Sequence, residues 1–264
     1  MDRPPVSFLQ VRSGLALLAA CLAVPGTADS TPKAASTAVG AAAAAPVGPD
    51  AGPSYADLAD LADRAESVVR AKVRKFTPID AARAPGLRPG WGRVLVEARA
   101  TALLAGPPLA GDSLRYLLDL PLGARGQLPK APKGEVIAFA RRIAQRPGEL
   151  QLVAPDAQIA WDPATDARLK GVLGELLAAG APPRITGVRE AIHVAGALAG
   201  EGETQLFLST AGMTPASISV VRHPGEAARW SVSFSEVLET DARVPQRDTL
   251  VWYRLACFLP DRLP

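Results

Sequence analysis

Residues 68–76, "VVRAKVRKF", carry the clearest strand pattern in the chain. Every odd-numbered residue from Val69 to Val73 is apolar, and every even-numbered residue from Arg70 to Arg74 is basic. Because successive side chains of a strand point to opposite faces, this pattern predicts a half-buried strand with a solvated outer face. The strand also accounts for the local cluster of positive charge without a ligand.

Further strands are predicted on the C-terminal side of this one, between turns rich in proline and glycine. Up to residue 161 they are "GRVLVEARATALLAG" (92–106), "SLRYLLDL" (113–120), "GEVIAFARR" (134–142), "ELQLVA" (149–154) and "AQIAW" (157–161). After residue 184 they are "EAIHVAGAL" (190–198), "TQLFLST" (204–210), "SISVVRH" (217–223), "RWSVSFSEV" (229–237) and "TLVWYRLACFLP" (249–260). The last run is almost wholly apolar, which favours a central, covered strand or a strand between two domains.

Two helices are predicted, near 55–67 and 163–179. The first has Ser54 as its N-cap and one short apolar face. The second begins after Asp162 with Pro163 at its first position, carries a leucine-rich stripe, and ends before Gly180.

These elements predict a mainly β protein with two helices and two domains. An OB-like barrel would span 54–180, and an antiparallel β meander or small sandwich would span 184–264. The proline-rich "APP" at 181–183 marks the boundary. Residues 29–53 contain no aromatic residue, Leu or Ile, which predicts a disordered linker.

Residues 1–28 fit a secretory signal peptide. Basic residues precede an apolar run, "SGLALLAACLAV" (13–24), which is too short to span a bilayer. Two endings remain open. "GTADS" favours ordinary cleavage after Ala28, whereas "LAAC" (18–21) resembles the bacterial lipobox and makes Cys21 a candidate lipid attachment site. Both endings predict a periplasmic or secreted protein, and the second adds a lipid anchor to the outer membrane.

Charge and cysteine content exclude several classes of protein. The formal net charge is +3 over 264 residues, but basic residues are interleaved singly with apolar ones rather than gathered with aromatics. This dispersal argues against a nucleic-acid binder. Cys257 is the one cysteine besides Cys21, so no internal disulfide is expected. We interpret Cys257 as a buried, inert thiol.

No catalytic motif is recognisable. The Gly-x-Ser-x-Gly pattern of α/β-hydrolases is absent. A triad assembled from distant positions stays open, with Ser209, Ser217 or Ser235 beside His193 or His223. The two histidines lack the spacing of a metal site, and no cofactor is expected.

Acidic residues give no clearer signal. Asp119 and Glu135 lie at predicted strand ends, where surface carboxylates are ordinary. "GEGE" (200–203) does not resemble a phosphate-binding loop, because its two glutamates would repel an anion and no Lys-Ser/Thr follows.

The long segment at 120–135 is the candidate binding loop. It carries Arg125, Lys130 and Lys133 among small residues. A binding role and a mobile surface loop are both consistent with this composition.

The order of elements from Tyr55 to Leu177 resembles the netrin-like OB barrel of tissue metalloproteinase inhibitors. The segment "GEVIAF" (134–139) matches the late strand of that family through Gly134, Glu135, Val136, Ile137 and Phe139. The family's inhibitory activity depends on an N-terminal cysteine and disulfides, which this segment lacks, so the resemblance implies the fold alone. The whole chain is also similar to uncharacterised exported proteins of alphaproteobacteria, and that resemblance implies no activity.

The leading functional hypothesis is therefore a non-enzymatic cell-envelope module that binds a protein, peptide or glycan. An envelope hydrolase with a Ser/His site is the first alternative, and a structural assembly factor is the second. The sequence leaves the oligomeric state open.

Overall fold

The computed structural model describes residues 52–234 and 244–260. Within these ranges the chain is mainly β, with three α-helices and two antiparallel sheets, so the predicted fold class is confirmed at that level. Both sheets belong to one compact unit, Val47–Pro264, and the "APP" segment lies between them in sequence. No helix in the described ranges is long and apolar enough to cross a membrane.

The first sheet contains six strands, in the order β3-β2-β1-β4-β5, with β6 also paired to β4. Its strands are β1 (Ser67–Ile79), β2 (Trp91–Ala105), β3 (Ser113–Pro121), β4 (Glu135–Arg142), β5 (Leu150–Leu152) and β6 (Gln158–Ala160). A 3-10 turn at Ala81–Arg83 follows β1. The alternation predicted for β1 is confirmed, since Val69, Ala71 and Val73 are buried while Lys72 and Arg74 are exposed.

Two of the helices begin where the sequence predicts. Helix α1 (Tyr55–Arg64) starts with a capping box, in which the Asp57 amide donates to Ser54 Oγ and the Ser54 amide donates to Asp57. Helix α2 (Pro163–Leu177) starts after Asp162, whose carboxylate accepts hydrogen bonds from two backbone amides. Both helices pack on the first sheet. The centre of this core contains Leu58, Val69, Phe139, Leu169 and Tyr253.

The expected barrel is not formed, because the first sheet does not close on itself. Strand β3 meets the chain just before β5 through an isolated parallel bridge, between Arg115 and Glu149. Two backbone hydrogen bonds accompany it, from the Arg115 amide to the Gly148 carbonyl and from the Asp119 amide to the Pro155 carbonyl, each 2.8 Å long. Strand β5 has only three residues, which is too short for a continuous ladder along β3.

The second sheet is a four-stranded meander, in the order β10-β9-β8-β7. Its strands are β7 (Ile185–Ala195), β8 (Gly202–Thr210), β9 (Ala216–Arg222) and β10 (Arg229–Ser233). The predicted inward positions of β10 are partly confirmed. Val232 and Phe234 pack against the buried cluster of this sheet, whereas Trp230 is 38% exposed.

The last apolar run is a third helix, so its prediction as a strand was wrong. Helix α3 (Leu250–Phe258) begins after Thr249, whose hydroxyl accepts a hydrogen bond from the Trp252 amide. Leu250 and Tyr253 enter the core of the first sheet, and Leu255 enters the core of the second. An unbroken apolar run fits a strand and a helix equally well when the helix is buried on two sides, so periodicity could not distinguish them here.

Candidate binding groove

A groove of about 620 Å³ lies on the outer face of β2 and β3. The chain between β4 and β5 and the chain after β5 form its far wall. We call this depression the β3 groove. The residues that matter below are Arg93, Leu95, Arg115, Leu117, Asp119 and Arg146, all of which line it.

The floor of the β3 groove is apolar. Leu95 and Leu117 are cross-strand partners and point away from the core, because their neighbours Val94, Val96 and Leu118 are buried on the other face. Leu117 is 48% exposed, which is high for a leucine in the middle of a strand. The floor therefore offers apolar surface that the described residues do not cover.

A buried ion pair rigidifies one end of the groove. Arg93 and Asp119 are cross-strand partners, and the guanidinium donates to both carboxylate oxygens, at 2.6 Å and 2.9 Å. The hydrogen bonds to Asp119 raise the pKa of Arg93. Asp119 is 2% exposed, so the interpretation of this residue as an ordinary surface carboxylate was wrong. The chain at Pro155 covers it, and sequence spacing alone could not show that.

The wall between β4 and β5 has an unusual backbone. Gln145 has a φ of 62°, a conformation that non-glycine residues adopt only at a cost of about 1–2 kcal/mol. Gly148 has a φ of 79°, and a Cβ at this position would lie 2.8 Å from the Ser113 carbonyl oxygen. The wall is therefore pressed close to β3. A second depression of about 520 Å³ lies on its other side and shares Ile143, Arg146, Glu149 and Leu150 with the β3 groove.

The charges in the β3 groove are predominantly positive. Arg93 is neutralised by Asp119, and Arg146 lies 3.3 Å from Glu149. Arg115 has no carboxylate within ion-pair distance among residues 52–234 and 244–260. Its cross-strand partner on β2 is Glu97, which does not line the groove, so the Arg115 guanidinium can meet a ligand.

The edge of β3 also offers backbone hydrogen-bonding groups. The amides of Arg115 and Asp119 point toward the wall, where both have acceptors. Hydrogen-bonding direction alternates along an antiparallel strand, so the amide and carbonyl of Leu117 point the same way. No carbonyl of the wall accepts from the Leu117 amide in the described chain. The Leu117 amide therefore lacks a backbone acceptor in a short gap between the wall contacts of Arg115 and Asp119.

The predicted binding loop lies elsewhere. Arg125, Lys130 and Lys133 are exposed, and none of them lines the β3 groove. Leu122 and Leu128 fix this loop against β2, where both side chains come within about 3 Å of the position a Cβ would take on Gly92. Cys21 lies outside the described residues.

The residues of the hydrolase alternative are not brought together where they are described. His193 Nδ1 lies 3.0 Å from Thr204 Oγ1, and His223 Nδ1 lies 3.5 Å from Glu201. Ser209 and Ser217 line a separate depression on the second sheet. Ser235 lies outside the described residues.

Cys257 is exposed on α3, so its interpretation as a buried thiol was wrong. Partial burial and the nearby carboxylates of Asp60 and Asp57 raise the pKa of this thiol, which makes it less reactive. Groups of three or more His, Cys, Asp or Glu side chains that could bind a metal ion do not occur among the described residues. In "GEGE" (200–203), Glu203 belongs to β8, which begins at Gly202, and Glu201 precedes that strand.

Comparison with known proteins adds no family, because no family model matches the chain and no curated protein matches it either.

The β3 groove was not predicted from the sequence. Its signal was present in "SLRYLLDL", where Leu117 is apolar at a position that alternation places outward.

Proposed function

We propose that this protein is a non-enzymatic binding module whose β3 groove binds an extended peptide segment of a partner protein. The segment would place an apolar side chain on Leu117 and an acidic side chain near Arg115. The observation that carries the proposal is the exposure of Leu117 on the groove floor, beside Arg115, which has no carboxylate within ion-pair distance among the described residues.

Three kinds of contact support a peptide as the ligand. The apolar floor at Leu95 and Leu117 would bury an apolar side chain, at about 25 cal/mol per Å² of covered surface. Arg115 would donate to a carboxylate, and hydrogen bonds to charged groups contribute about 1.5–3 kcal/mol. The Leu117 amide, in the gap between the two wall contacts, would donate to one main-chain carbonyl of the ligand.

The groove is already formed without a ligand, which favours binding. The Arg93–Asp119 ion pair and the two backbone hydrogen bonds between β3 and the wall fix its shape. A preformed site loses less conformational entropy when a ligand enters than a site that must first be ordered. The proposed role as an envelope module follows from the signal-peptide pattern of residues 1–28, so the partner would be an envelope or secreted protein.

A displayed library of random 12-residue peptides tests the proposal. Selection on the full mature chain should enrich peptides that combine an acidic and an apolar residue. Leu117→Lys should reduce their affinity at least tenfold, while the matched change Leu103→Lys, on an exposed β2 leucine outside the groove, should leave it unchanged. Arg115→Gln should also weaken binding, and Arg83→Gln, on the 3-10 turn and outside the groove lining, should not.

Two results would count against the proposal. If the selection enriches no motif, the proposal that the groove binds a peptide is wrong. Enriched peptides that bind Leu117→Lys as well as they bind the unchanged chain would place the site elsewhere.

A further inference from the structure

The second sheet carries a depression of about 680 Å³ that is separate from the β3 groove. We call it the Phe207 pocket. Arg189, Gln205, Phe207, Ser209, Met213 and Ser217 line it. None of these residues takes part in the proposed peptide site.

The Phe207 pocket lies on the polar face of the sheet. Strand pairing aligns Phe207 with Ser217 on β9 and Glu190 on β7, and the neighbouring row contains Gln205, Ser219 and Ser231. The apolar residues of these strands, such as Leu206 and Ile218, pack on the opposite face. The Phe207 ring therefore stands among hydroxyl and amide groups, with the carboxylate of Glu190 on the neighbouring strand.

A β-bulge directs a cation to this ring. The register between β7 and β8 shifts between Val188 and Glu190, so Arg189 is the extra residue of the bulge. Its guanidinium lies 5.9 Å from the centre of the Phe207 ring. Among residues 52–234 and 244–260, Arg189 has no carboxylate within ion-pair distance.

Two hydroxyls of the pocket are also available. Neither Ser209 nor Ser217 forms a side-chain hydrogen bond within the described part of the chain. By contrast, Glu203 accepts from Gln205 and Ser219, and these bonds lower the pKa of its carboxyl group. Glu203 and Glu190 do not line the pocket.

The turn above the pocket presents an apolar side chain from a residue whose backbone is strained. Met213 is 92% exposed and has a φ of 59°. The Thr210 hydroxyl donates to the Thr214 carbonyl at 2.6 Å and fixes this turn. Strained backbone that persists in a well-fixed turn is common in ligand-binding segments.

We propose that the Phe207 pocket binds an acidic sugar unit of a glycan. The apolar face of the sugar ring would stack on Phe207 under Met213, because C–H groups are attracted to the negative face of an aromatic ring. The sugar hydroxyls would pair with Ser209, Ser217 and Gln205. The carboxylate would pair with Arg189, since a guanidinium binds a carboxylate through two parallel hydrogen bonds.

The probe for this site is trigalacturonate, titrated into the full mature chain and followed by calorimetry. Its methyl-esterified form, which lacks the charges, is the ligand control. We expect saturable binding of the acid and at least tenfold weaker binding of the ester. Phe207→Leu and Arg189→Gln should each weaken binding of the acid about tenfold or more.

Matched variants on the same sheet separate a local effect from misfolding. Trp230→Leu changes an aromatic residue on the opposite face, and Arg229→Gln changes an exposed arginine on β10. Both should bind trigalacturonate like the unchanged chain. Ser217→Ala offers a third, conservative change inside the pocket and should weaken binding severalfold.

The proposal is overturned if trigalacturonate does not bind saturably, or if it binds Phe207→Leu and Arg189→Gln undiminished. Equal binding of the acid and its methyl ester would contradict the role of Arg189. If the Leu117→Lys variant no longer binds trigalacturonate, the sugar site lies in the β3 groove instead. That result would also contradict the proposal.

Discussion

Asp63 on α1 and Arg254 on α3 form a two-pronged ion pair across 191 positions of sequence, with N–O distances of 2.8 Å and 2.9 Å. The side chain of Arg254 is 6% exposed and that of Asp63 is 13% exposed. Arg184, just before β7, donates to the same carboxylate, and Arg254 also donates to the Pro182 carbonyl. This cluster connects the helical cover of the first sheet to the chain that enters the second.

Removal of the Asp63 carboxylate should therefore lower the free energy of unfolding substantially. Asp63→Ala leaves the buried guanidinium of Arg254 without its counter-charge, and breaking such a pair costs about 3–5 kcal/mol of the free energy of unfolding. Urea denaturation followed by circular dichroism measures this loss. Asp60→Ala, which removes an exposed partner of Arg64 on the same helix, should cost less than about 1 kcal/mol. Equal losses for the two variants would contradict a special role for Asp63.

The same carboxylate predicts an acid-dependent part of the stability. Burial alone would raise the pKa of Asp63, but the hydrogen bonds from Arg254 and Arg184 outweigh it, so the pKa is lowered in the folded protein. A lowered pKa means that the unfolded chain takes up the proton first as the pH falls. The stabilisation is then complete above about pH 4, the ordinary aspartate range, and is lost progressively as the pH drops toward the folded pKa.

Urea unfolding at a series of pH values from 7 to 3 tests this dependence. The difference in unfolding free energy between the unchanged chain and Asp63→Asn isolates the contribution of Asp63 from that of other acids. This difference should be constant near neutral pH and shrink below about pH 4. If this difference in unfolding free energy grows as the pH falls, the pKa of Asp63 is not lowered in the folded protein.

The wall of the β3 groove should be sensitive to a single methyl group. Gly148→Ala combines a left-handed backbone with a Cβ placed 2.8 Å from the Ser113 carbonyl oxygen. Gly126→Ala has a similar φ of 74° but meets no atom within 4 Å. We expect a cost of about 1 kcal/mol for Gly126→Ala and about 1–3 kcal/mol more for Gly148→Ala. Thermal or urea denaturation compares them, and equal costs would show that the wall is not pressed against β3.

Local patterning accounts for most of the described fold. Strand β1 follows its alternation, and α1 and α2 begin at the caps that Ser54 and Asp162 predict. These features depend on neighbours within a few residues, so the sequence displays them directly. Helix α3 does not, because its two buried sides remove the periodicity that identifies an amphipathic helix.

The sites depend on contacts between distant segments, which explains why the sequence did not reveal them. The position of Asp119 at a strand end predicts a surface residue, but in the structure the chain at Pro155 covers it. Arg115 lies at the groove only because β5 approaches β3. Composition alone makes the loop at 120–135 a candidate binding site, through Arg125, Lys130 and Lys133. Composition does not reveal that this loop is fixed away from the groove.

In the proposed complex, an extended peptide lies in the β3 groove and accepts a hydrogen bond from the Leu117 amide. Amide hydrogen exchange, resolved by residue with NMR, tests it most directly on the unchanged chain with and without a selected peptide. We expect exchange of the Leu117 amide, which lacks an acceptor in the wall, to slow by at least tenfold when the peptide binds, with the largest shift changes along β3 and the wall. Unchanged exchange at Leu117, with shift changes confined to the second sheet, would contradict the claim.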